Sequence, residues 1–358
     1  MSPDIKPSRR IFLEKVATGA FGLLAGVAMG GIPVEIPDNK KNPEFARKQS
    51  KAKRLIPVMI TPYKRDMTID FDGVSRLTDF YMAAGAQGFF ANCLSSEMFF
   101  MNDAERIALT RHVVKYVNGK VSVVSTGSFG KSLNEQVECT KAIYDTGVNS
   151  VILISGHFAA KTDSDDILIK NFDSFFNLTG NIPLGTYECP LPYKRVISPE
   201  VFKFLVKNER LVYHKDTCED INKIQVKLGL IKRSKMEFYN AHTATALPSM
   251  QMGGNGMSPI SANFYPEILA WLCENATNSS KRSDALWIQD EISKMEPIIS
   301  KLYPISSKYF LIKRGMHIEM SCRSKTQKFP LEQQEILDNA YKVFLGWCER
   351  LSITPVRV

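Results

Sequence analysis

The stretch SVILIS at residues 150–155 decides the fold of this chain, because it is a continuous apolar run rich in β-branched residues. Runs of this kind are typical of strands that are buried on both faces of a parallel sheet. Seven further β-rich runs lie along the chain, at residues 55–61, 88–93, 121–125, 182–187, 211–215, 236–240 and, more briefly, 256–260. We therefore predict eight strands that pair in parallel.

Helical patterns separate these runs. Residues 102–117, for example, place Ile107, Val113 and Val117 at helical spacing. Eight strand–helix units, repeating about every 25–35 residues, predict an α/β protein with a (β/α)8 TIM barrel. An open, doubly wound sheet is the alternative. Beyond residue 284 no strand pattern follows, and apolar spacing around Ile288 and Leu345 predicts additional C-terminal helices.

The positive charge is concentrated at the N-terminus. The chain has 46 Lys and Arg against 37 Asp and Glu, a formal charge of +9. Residues 1–54 contain 11 of the basic and 5 of the acidic residues, so the remainder has a net charge of only +3. A charged fraction of 23 per cent and a hydrophobic fraction of 44 per cent exclude a disordered chain and a polytopic membrane protein. Without a basic, aromatic-rich patch in the barrel, we expect no nucleic-acid partner.

The N-terminus reads as a targeting segment. The sequence SRRIFLEK at residues 8–15 precedes an uncharged, Gly- and Ala-rich stretch at 16–32, and this order resembles a twin-arginine export signal. A core helix with a basic cap and a retained membrane anchor are the alternatives. We predict a signal at 1–32, an exposed linker at 33–53, the barrel at 54–283 and a helical extension at 284–358. The expected location is periplasmic or exported, or membrane-anchored if the signal is not cleaved.

The cysteines and histidines give no metal-binding pattern. The seven cysteines have no CxxC spacing, and the five histidines have no paired spacing. We therefore predict no metal centre.

Lys215 and Tyr187 are the candidate catalytic residues, because each stands at the end of a predicted strand. The C-terminal ends of barrel strands surround the active site in this fold. A lysine in an apolar interior has its charged form disfavoured, and its neutral amine can then form an imine with a carbonyl group. The alternative for Lys215 is extension to solvent or an ion pair with Asp216. Tyr187 could pass protons to a substrate, or it could be an ordinary core tyrosine.

Three serines and three further residues complete the candidate site. Ser95 and Ser96 follow the second strand, where they could bind a carboxylate or only shape a turn. Ser258, in the eighth run, is a third substrate-binding candidate. The second-rank candidates for substrate contact, each with a structural alternative, are Glu188, His214 and His242.

Several motifs carry a family resemblance, and their order extends over some 200 residues. They are ITPY at 60–63, SSE at 95–97, YECP at 187–190, and GGNG at 253–256 with Ser261 and Asn263. In addition, Lys215 follows Tyr187 by 28 residues. With them the chain resembles the family of dihydrodipicolinate synthase and N-acetylneuraminate lyase, the class I pyruvate-dependent aldolases.

The resemblance implies a mechanism without a separate cofactor. Lys215 would form a covalent imine with a small 2-keto acid, and Tyr187 would relay protons. Ser95 and Ser96 would bind the carboxylate of the keto acid. The resemblance also implies a homo-oligomer, either a dimer or a tetramer.

Three departures from the family pattern narrow the predicted function. Leu94 lacks the hydroxyl that dihydrodipicolinate synthases use in proton relay, Phe158 replaces a tyrosine, and Pro192 replaces a carboxylate-binding arginine. We therefore predict a lyase (aldolase) that acts on a 2-keto acid, with a sugar acid favoured and pyruvate as product or co-substrate. An imine-dependent dehydratase and a non-catalytic periplasmic keto-acid binder are the alternatives.

Overall fold

A computed structural model describes residues 52–324 and 329–357. The predicted export signal, and the predicted linker apart from residues 52–53, lie outside the described residues. The eight strands are β1 (Arg54–Leu55), β2 (Gly88–Phe90), β3 (Ser122–Thr126), β4 (Ser150–Ile154), β5 (Leu184–Tyr187), β6 (Leu211–Asp216), β7 (Glu237–Asn240) and β8 (Gly256–Met257).

The strands form a nearly closed parallel barrel. Their order in the sheet is β1-β8-β7-β6-β5-β4-β3-β2, and all seven pairings are parallel. A parallel bridge between Val58 and Phe90 brings the two end strands together. The predicted (β/α)8 TIM barrel is confirmed, and each predicted apolar run overlaps one of the strands.

Eight helices follow the eight strands, and three more come after the last of these. The barrel helices are α1 (Phe71–Ala83), α2 (Asp103–Val117), α3 (Leu133–Tyr144), α4 (Asp165–Leu178), α5 (Pro199–Lys207), α6 (Ile221–Ile231), α7 (Ala246–Gln251) and α8 (Pro266–Asn275). The C-terminal helices are α9 (Arg282–Ile299), α10 (Ile305–Lys313) and α11 (Leu331–Leu351). The predicted additional C-terminal helices are thus confirmed.

Local sequence explains where the helices begin. Asn102 accepts a hydrogen bond from the Glu105 backbone amide at 2.9 Å, and the Glu105 carboxylate accepts one from the Asn102 amide at 3.0 Å. This capping box satisfies two amides that the first turn of α2 would leave unpaired. Ser132 and Glu135 form the same arrangement before α3.

Apolar side chains fill the barrel interior below its mouth. Phe90, Ile152 and Tyr213 belong to one buried cluster inside the barrel. A second cluster joins α8 to α9 and α11, so the C-terminal helices share their core with the last barrel helix. Within residues 52–324 and 329–357, no helix combines the length and apolar character needed to cross a membrane.

Candidate active site

Lys215 and Tyr187 lie side by side at the C-terminal end of the barrel. They are paired residues across β5 and β6, and the Lys215 Nζ lies 4.6 Å from the centroid of the Tyr187 ring. The Phe90 ring lies 5.6 Å from the same nitrogen. Lys215 and Tyr187 are each only 4 per cent exposed. The structure therefore brings the two predicted catalytic residues together in an aromatic environment.

The Lys215 amine is buried without a compensating carboxylate. Burial lowers its pKa to about 8, although the nearby thiols of Cys93 and Cys189 act in the opposite direction. Across the described part of the chain, no carboxylate forms an ion pair with it. Asp216, the partner considered from the sequence, binds Lys227 instead, at 2.6 Å. Lys215 thus has the low pKa that a nucleophilic amine needs at neutral pH.

Tyr187 is a neutral phenol in contact with a thiol. Burial raises the pKa of Tyr187 well above its ordinary value, and a hydrogen bond with Cys189 raises it further. Burial also raises the pKa of the Cys189 thiol to about 12. The Tyr187 hydroxyl therefore keeps its proton and can donate or pass it on within the mouth.

The three candidate serines have different surroundings. The Ser96 hydroxyl contacts the carbonyl oxygens of Met59 at 2.7 Å and Ala91 at 2.8 Å. The Ser258 hydroxyl donates to the Ile56 carbonyl at 2.7 Å. Both side chains are bonded to backbone carbonyls of the segments that follow β1 and β2, whereas Ser95 lies beside the hydroxyl of Tyr303. Of the three, Ser95 has the surroundings that suit a substrate contact.

Glu188 and His214 lie on the outer side of the strands, away from the barrel interior. Glu188 accepts hydrogen bonds from the Ile197 amide at 2.8 Å and from Lys227. The His214 ring contacts Phe202 and its Nδ1 lies 2.9 Å from the Thr186 hydroxyl. Substrate contact was the second-rank expectation for both residues, and the structure places them instead in a buried network on the outer side of β5 and β6.

Among the described residues, a group of three side chains in this network has the spacing of a metal site. The ligand atoms of Glu188, His214 and Asp216 lie within 4.8 Å of one another. The Lys227 ammonium group, however, bonds to both carboxylates. It supplies the positive charge that a metal ion would otherwise bring.

His242 lies at the polar rim of the mouth. Its Nε2 is 3.2 Å from the Glu219 carboxylate, which also binds Lys194 at 3.1 Å. Burial lowers the pKa of His242 to about 4, and the charge of Lys215 is among the weaker influences in the same direction. His242 is therefore a neutral imidazole within electrostatic range of the Lys215 amine.

The departures noted in the sequence have distinct structural consequences. Phe158 packs against Phe172, with ring centroids 4.6 Å apart, and is part of the core. Leu94 is half-buried against the apolar cluster inside the barrel. Near Pro192, the guanidinium of Arg195 is bound to Asp165 at 2.7 Å.

Sequence reasoning missed Tyr303 and Lys227. Tyr303 lies between α9 and α10, more than 80 residues after the last catalytic candidate, and no motif marks it. Lys227 could have been found, because it stands among Ile224, Leu228 and Ile231 on the buried face of α6. A lysine at an apolar position of an amphipathic helix indicates a buried ion pair.

The comparisons with known proteins agree with this architecture. A model of the dihydrodipicolinate synthetase family matches residues 51–342. The chain belongs to this family. The family resemblance drawn from the motifs is therefore confirmed, and the matched region includes the barrel and most of the C-terminal helices.

Curated members of the family are distant relatives. A 4-hydroxy-tetrahydrodipicolinate synthase from Methanospirillum hungatei is 26% identical over 224 residues, which cover 62% of this chain and 75% of that protein. The Escherichia coli protein named "Probable 2-dehydro-3-deoxy-D-pentonate aldolase YjhH" is 26% identical over 223 residues, 60% of this chain and 71% of its own length.

Solved structures show the same fold. The prophage protein YagE of Escherichia coli K12, solved in complex with pyruvate, has a TM-score of 0.73 at 16% identity, covering 84% of this chain and 99% of that one. The 4-hydroxy-tetrahydrodipicolinate synthase of Methylacidiphilum fumariolicum SolV has a TM-score of 0.75 at 17% identity, with coverage of 84% and 99%.

Proposed function

We propose that this family member is a Schiff-base-forming lyase, an aldolase that acts on a 2-keto acid with pyruvate as product or co-substrate. The observation that carries the proposal is the enclosed Lys215 amine, with its lowered pKa and the Tyr187 phenol beside it. Family membership and the aldolase name of one relative support it.

The chemistry follows from these two groups. The neutral Lys215 amine adds to the ketone carbon, and loss of water gives a protonated imine. Cleavage of the C3–C4 bond, assisted by removal of the C4 hydroxyl proton, sends its electron pair into the imine and releases an aldehyde. Protonation of the resulting enamine at C3 and hydrolysis of the imine return pyruvate and the free amine. The raised pKa keeps Tyr187 neutral, so its hydroxyl can donate a proton near the imine and is restored when the phenolate takes a proton back.

The polar rim supports a sugar acid as the substrate. Lys194, Glu219 and His242 offer hydrogen-bond donors and acceptors at the edge of the mouth. These side chains already pair with one another through Glu219, and substrate hydroxyl groups could form further hydrogen bonds with them, whereas an unsubstituted apolar chain could form none. Screening 2-keto sugar acids for pyruvate release tests this substrate class. Loss of water with the carbon chain intact would instead indicate a dehydratase.

Borohydride trapping tests the imine directly. The protein is incubated with pyruvate and sodium borohydride, and its peptides are weighed by mass spectrometry. We expect one adduct, on Lys215 and not on the equally buried Lys227. Lys215→Ala should abolish the adduct and lower turnover by a factor on the order of 10³ or more.

Calorimetry with the same variant separates an enzyme from a binder. An imine-forming protein should lose most of its affinity for the keto acid without Lys215. Full affinity in Lys215→Ala, together with no adduct in the wild-type chain, would support a non-catalytic binder.

Export and oligomerisation stay predictions. We propose twin-arginine export on the sequence at residues 8–15 alone. To test it, Arg9 and Arg10 are both replaced by Lys. We expect the variant to stay in the cytoplasm and the wild type to be exported.

A dimer or tetramer is expected from the family, and light scattering measures the oligomeric state.

A further inference from the structure

Tyr303 brings a hydroxyl group to the barrel mouth from outside the eight strand–helix units. It lies in the turn between α9 and α10 and is half-buried. Its ring packs against Phe264, with the two ring centroids 6.3 Å apart. The electrostatic influence of Tyr303 extends to Tyr187, whose pKa it helps to raise. The residue therefore belongs to the surroundings of the catalytic pair.

Asn263 fixes the position of the Tyr303 hydroxyl. The Asn263 amide nitrogen donates to the Tyr303 oxygen at 2.9 Å. It also lies 2.9 Å from the Val58 carbonyl and 3.0 Å from the Ile260 carbonyl. Because both carbonyls are acceptors only, they determine which end of the carboxamide carries the NH2 group. The Tyr303 oxygen accepts from this group, and its own proton stays available for another acceptor.

The serine turn after β2 lies next to the Tyr303 hydroxyl. The Ser95 side chain is the hydrogen-bonding neighbour of the Tyr303 hydroxyl, and the Cys93 thiol is close enough to influence both Tyr303 and Lys215. Burial raises the pKa of Tyr303 well above its ordinary value, so it remains a neutral donor. Two hydroxyl groups from distant parts of the chain therefore converge on one side of the mouth.

The hydroxyl groups of the two other candidate serines are already occupied. The Ser96 hydroxyl contacts two backbone carbonyls, and the Ser258 hydroxyl is bonded to a third. Leu94 contributes no hydroxyl. A keto-acid carboxylate has two oxygens, each able to accept hydrogen bonds, and the side chain of Ser95 alone has a single donor.

We propose that Tyr303 is a substrate-binding residue whose hydroxyl, together with that of Ser95, donates a hydrogen bond to the carboxylate of the 2-keto acid held at Lys215. The inference rests on the proposed imine chemistry and assigns a carboxylate-binding role to the C-terminal extension. It also supplies, from another element, a hydroxyl at the end of the mouth where Leu94 lacks one.

The test compares two methyl ketones, one with a carboxylate and one with a neutral amide in its place. Tyr303→Phe and the wild-type chain are trapped with borohydride over a range of pyruvate concentrations, and then over a range of pyruvamide concentrations. Pyruvamide keeps the methyl ketone but has no carboxylate. We expect the half-saturating pyruvate concentration to rise about 10- to 100-fold in the variant, as for loss of a hydrogen bond to a charged group. The value for pyruvamide should change less than about threefold.

Tyr309→Phe is the matched control, because Tyr309 on α10 directs its hydroxyl to Asp338 at 2.8 Å. Tyr309→Phe should leave the half-saturating concentrations of pyruvate and pyruvamide unchanged. Tyr303→Phe should fold, since the ring is kept and Asn263 retains its two backbone carbonyls, and thermal melting verifies this. Ser95→Ala provides a second variant with the same expected selectivity for pyruvate.

The outcomes distinguish the inference from the function on which it rests. Unchanged pyruvate trapping in Tyr303→Phe overturns the inference while the imine chemistry stands. Equal weakening for pyruvate and pyruvamide also overturns it, because a packing role would affect both. Absence of any adduct in the wild-type chain, with pyruvate and with the keto sugar acids, refutes the proposed function and the inference together.

Discussion

Lys215 and Lys227 are two buried lysines, 12 positions apart, with opposite electrostatic surroundings. Lys215 is 4 per cent exposed and Lys227 is 1 per cent exposed. Burial lowers the pKa of Lys215 to about 8. Burial acts on Lys227 in the same direction, but the carboxylates of Glu188 and Asp216 raise its pKa above the ordinary value. Burial alone therefore does not decide what a lysine does, whereas the presence of a counter-charge does.

Strand geometry separates the two environments. Successive side chains of a strand point to opposite faces. On β6, Tyr213 belongs to the cluster inside the barrel and Lys215 follows it on the same face, while His214 and Asp216 face outward. The carboxylate next to Lys215 in sequence is thus directed away from it. One strand carries a reactive amine on one face and part of a neutralised ion network on the other.

The largest expected contrast is in stability. Lys227→Met should destabilise the fold by about 3–5 kcal/mol, because it leaves two buried carboxylates without their cation. Lys215→Met should instead leave stability unchanged or raise it by about 1 kcal/mol, since an uncompensated amine is replaced by an apolar chain of similar length. Urea unfolding of both variants at pH 7 measures the difference.

A matched variant tests the cause of that loss. Glu188→Gln and Asp216→Asn, combined with Lys227→Met, remove all three charges and should recover part of the stability. Equal destabilisation by Lys215→Met and Lys227→Met would contradict the distinction between the two lysines.

The next contrast is in pH dependence. Only the neutral amine of Lys215 can attack a ketone, and its pKa is lowered to about 8. The rate of imine formation should therefore rise with pH, by about fivefold between pH 7 and 8, and level off above about pH 9. A lysine with an ordinary pKa would keep rising about tenfold per unit at these pH values. Initial rates of borohydride-trapped adduct, measured from pH 6 to 10, distinguish the two profiles.

The smaller of the two stability effects concerns Glu296, an acidic counterpart of Lys215. It accepts hydrogen bonds from the backbone amide of Thr243 at 2.9 Å and from the Thr243 hydroxyl. Burial raises the pKa of Glu296 to about 7, so the folded chain binds a proton that the unfolded chain releases. Stability from this group is present below the ordinary carboxyl pKa and is lost as pH rises through about 7.

Glu296→Gln should remove this dependence. Between pH 5 and pH 8, we expect the stability of Glu296→Gln relative to wild type to rise by about 2–3 kcal/mol. Thermal melting at the two pH values measures it, with Glu332→Gln in the exposed first turn of α11 as control. An identical shift in both variants would show that the effect does not arise from burial.

Local sequence was sufficient for the strands and for part of the site. A parallel strand buried on both faces is largely apolar, so each of the eight runs was visible without tertiary information. Lys215 and Tyr187 were visible because the residues that end such runs lie at the mouth. Glu188 and His214 were expected at the site because they are next to Tyr187 and Lys215 in the sequence. On a strand, however, the residue next to an inward-facing one faces outward.

The sequence by itself determined the barrel, its C-terminal helices, the family and the lysine and tyrosine at the strand ends, because periodicity and spacing are local properties. Only the tertiary structure decided which charges meet. Asp216 forms an ion pair with Lys227, and Lys215 has no ion pair among the described residues. Tyr303 lies beside Ser95, although more than 200 residues separate them along the chain. Contacts of this kind depend on how distant elements pack, and no spacing along the chain encodes them.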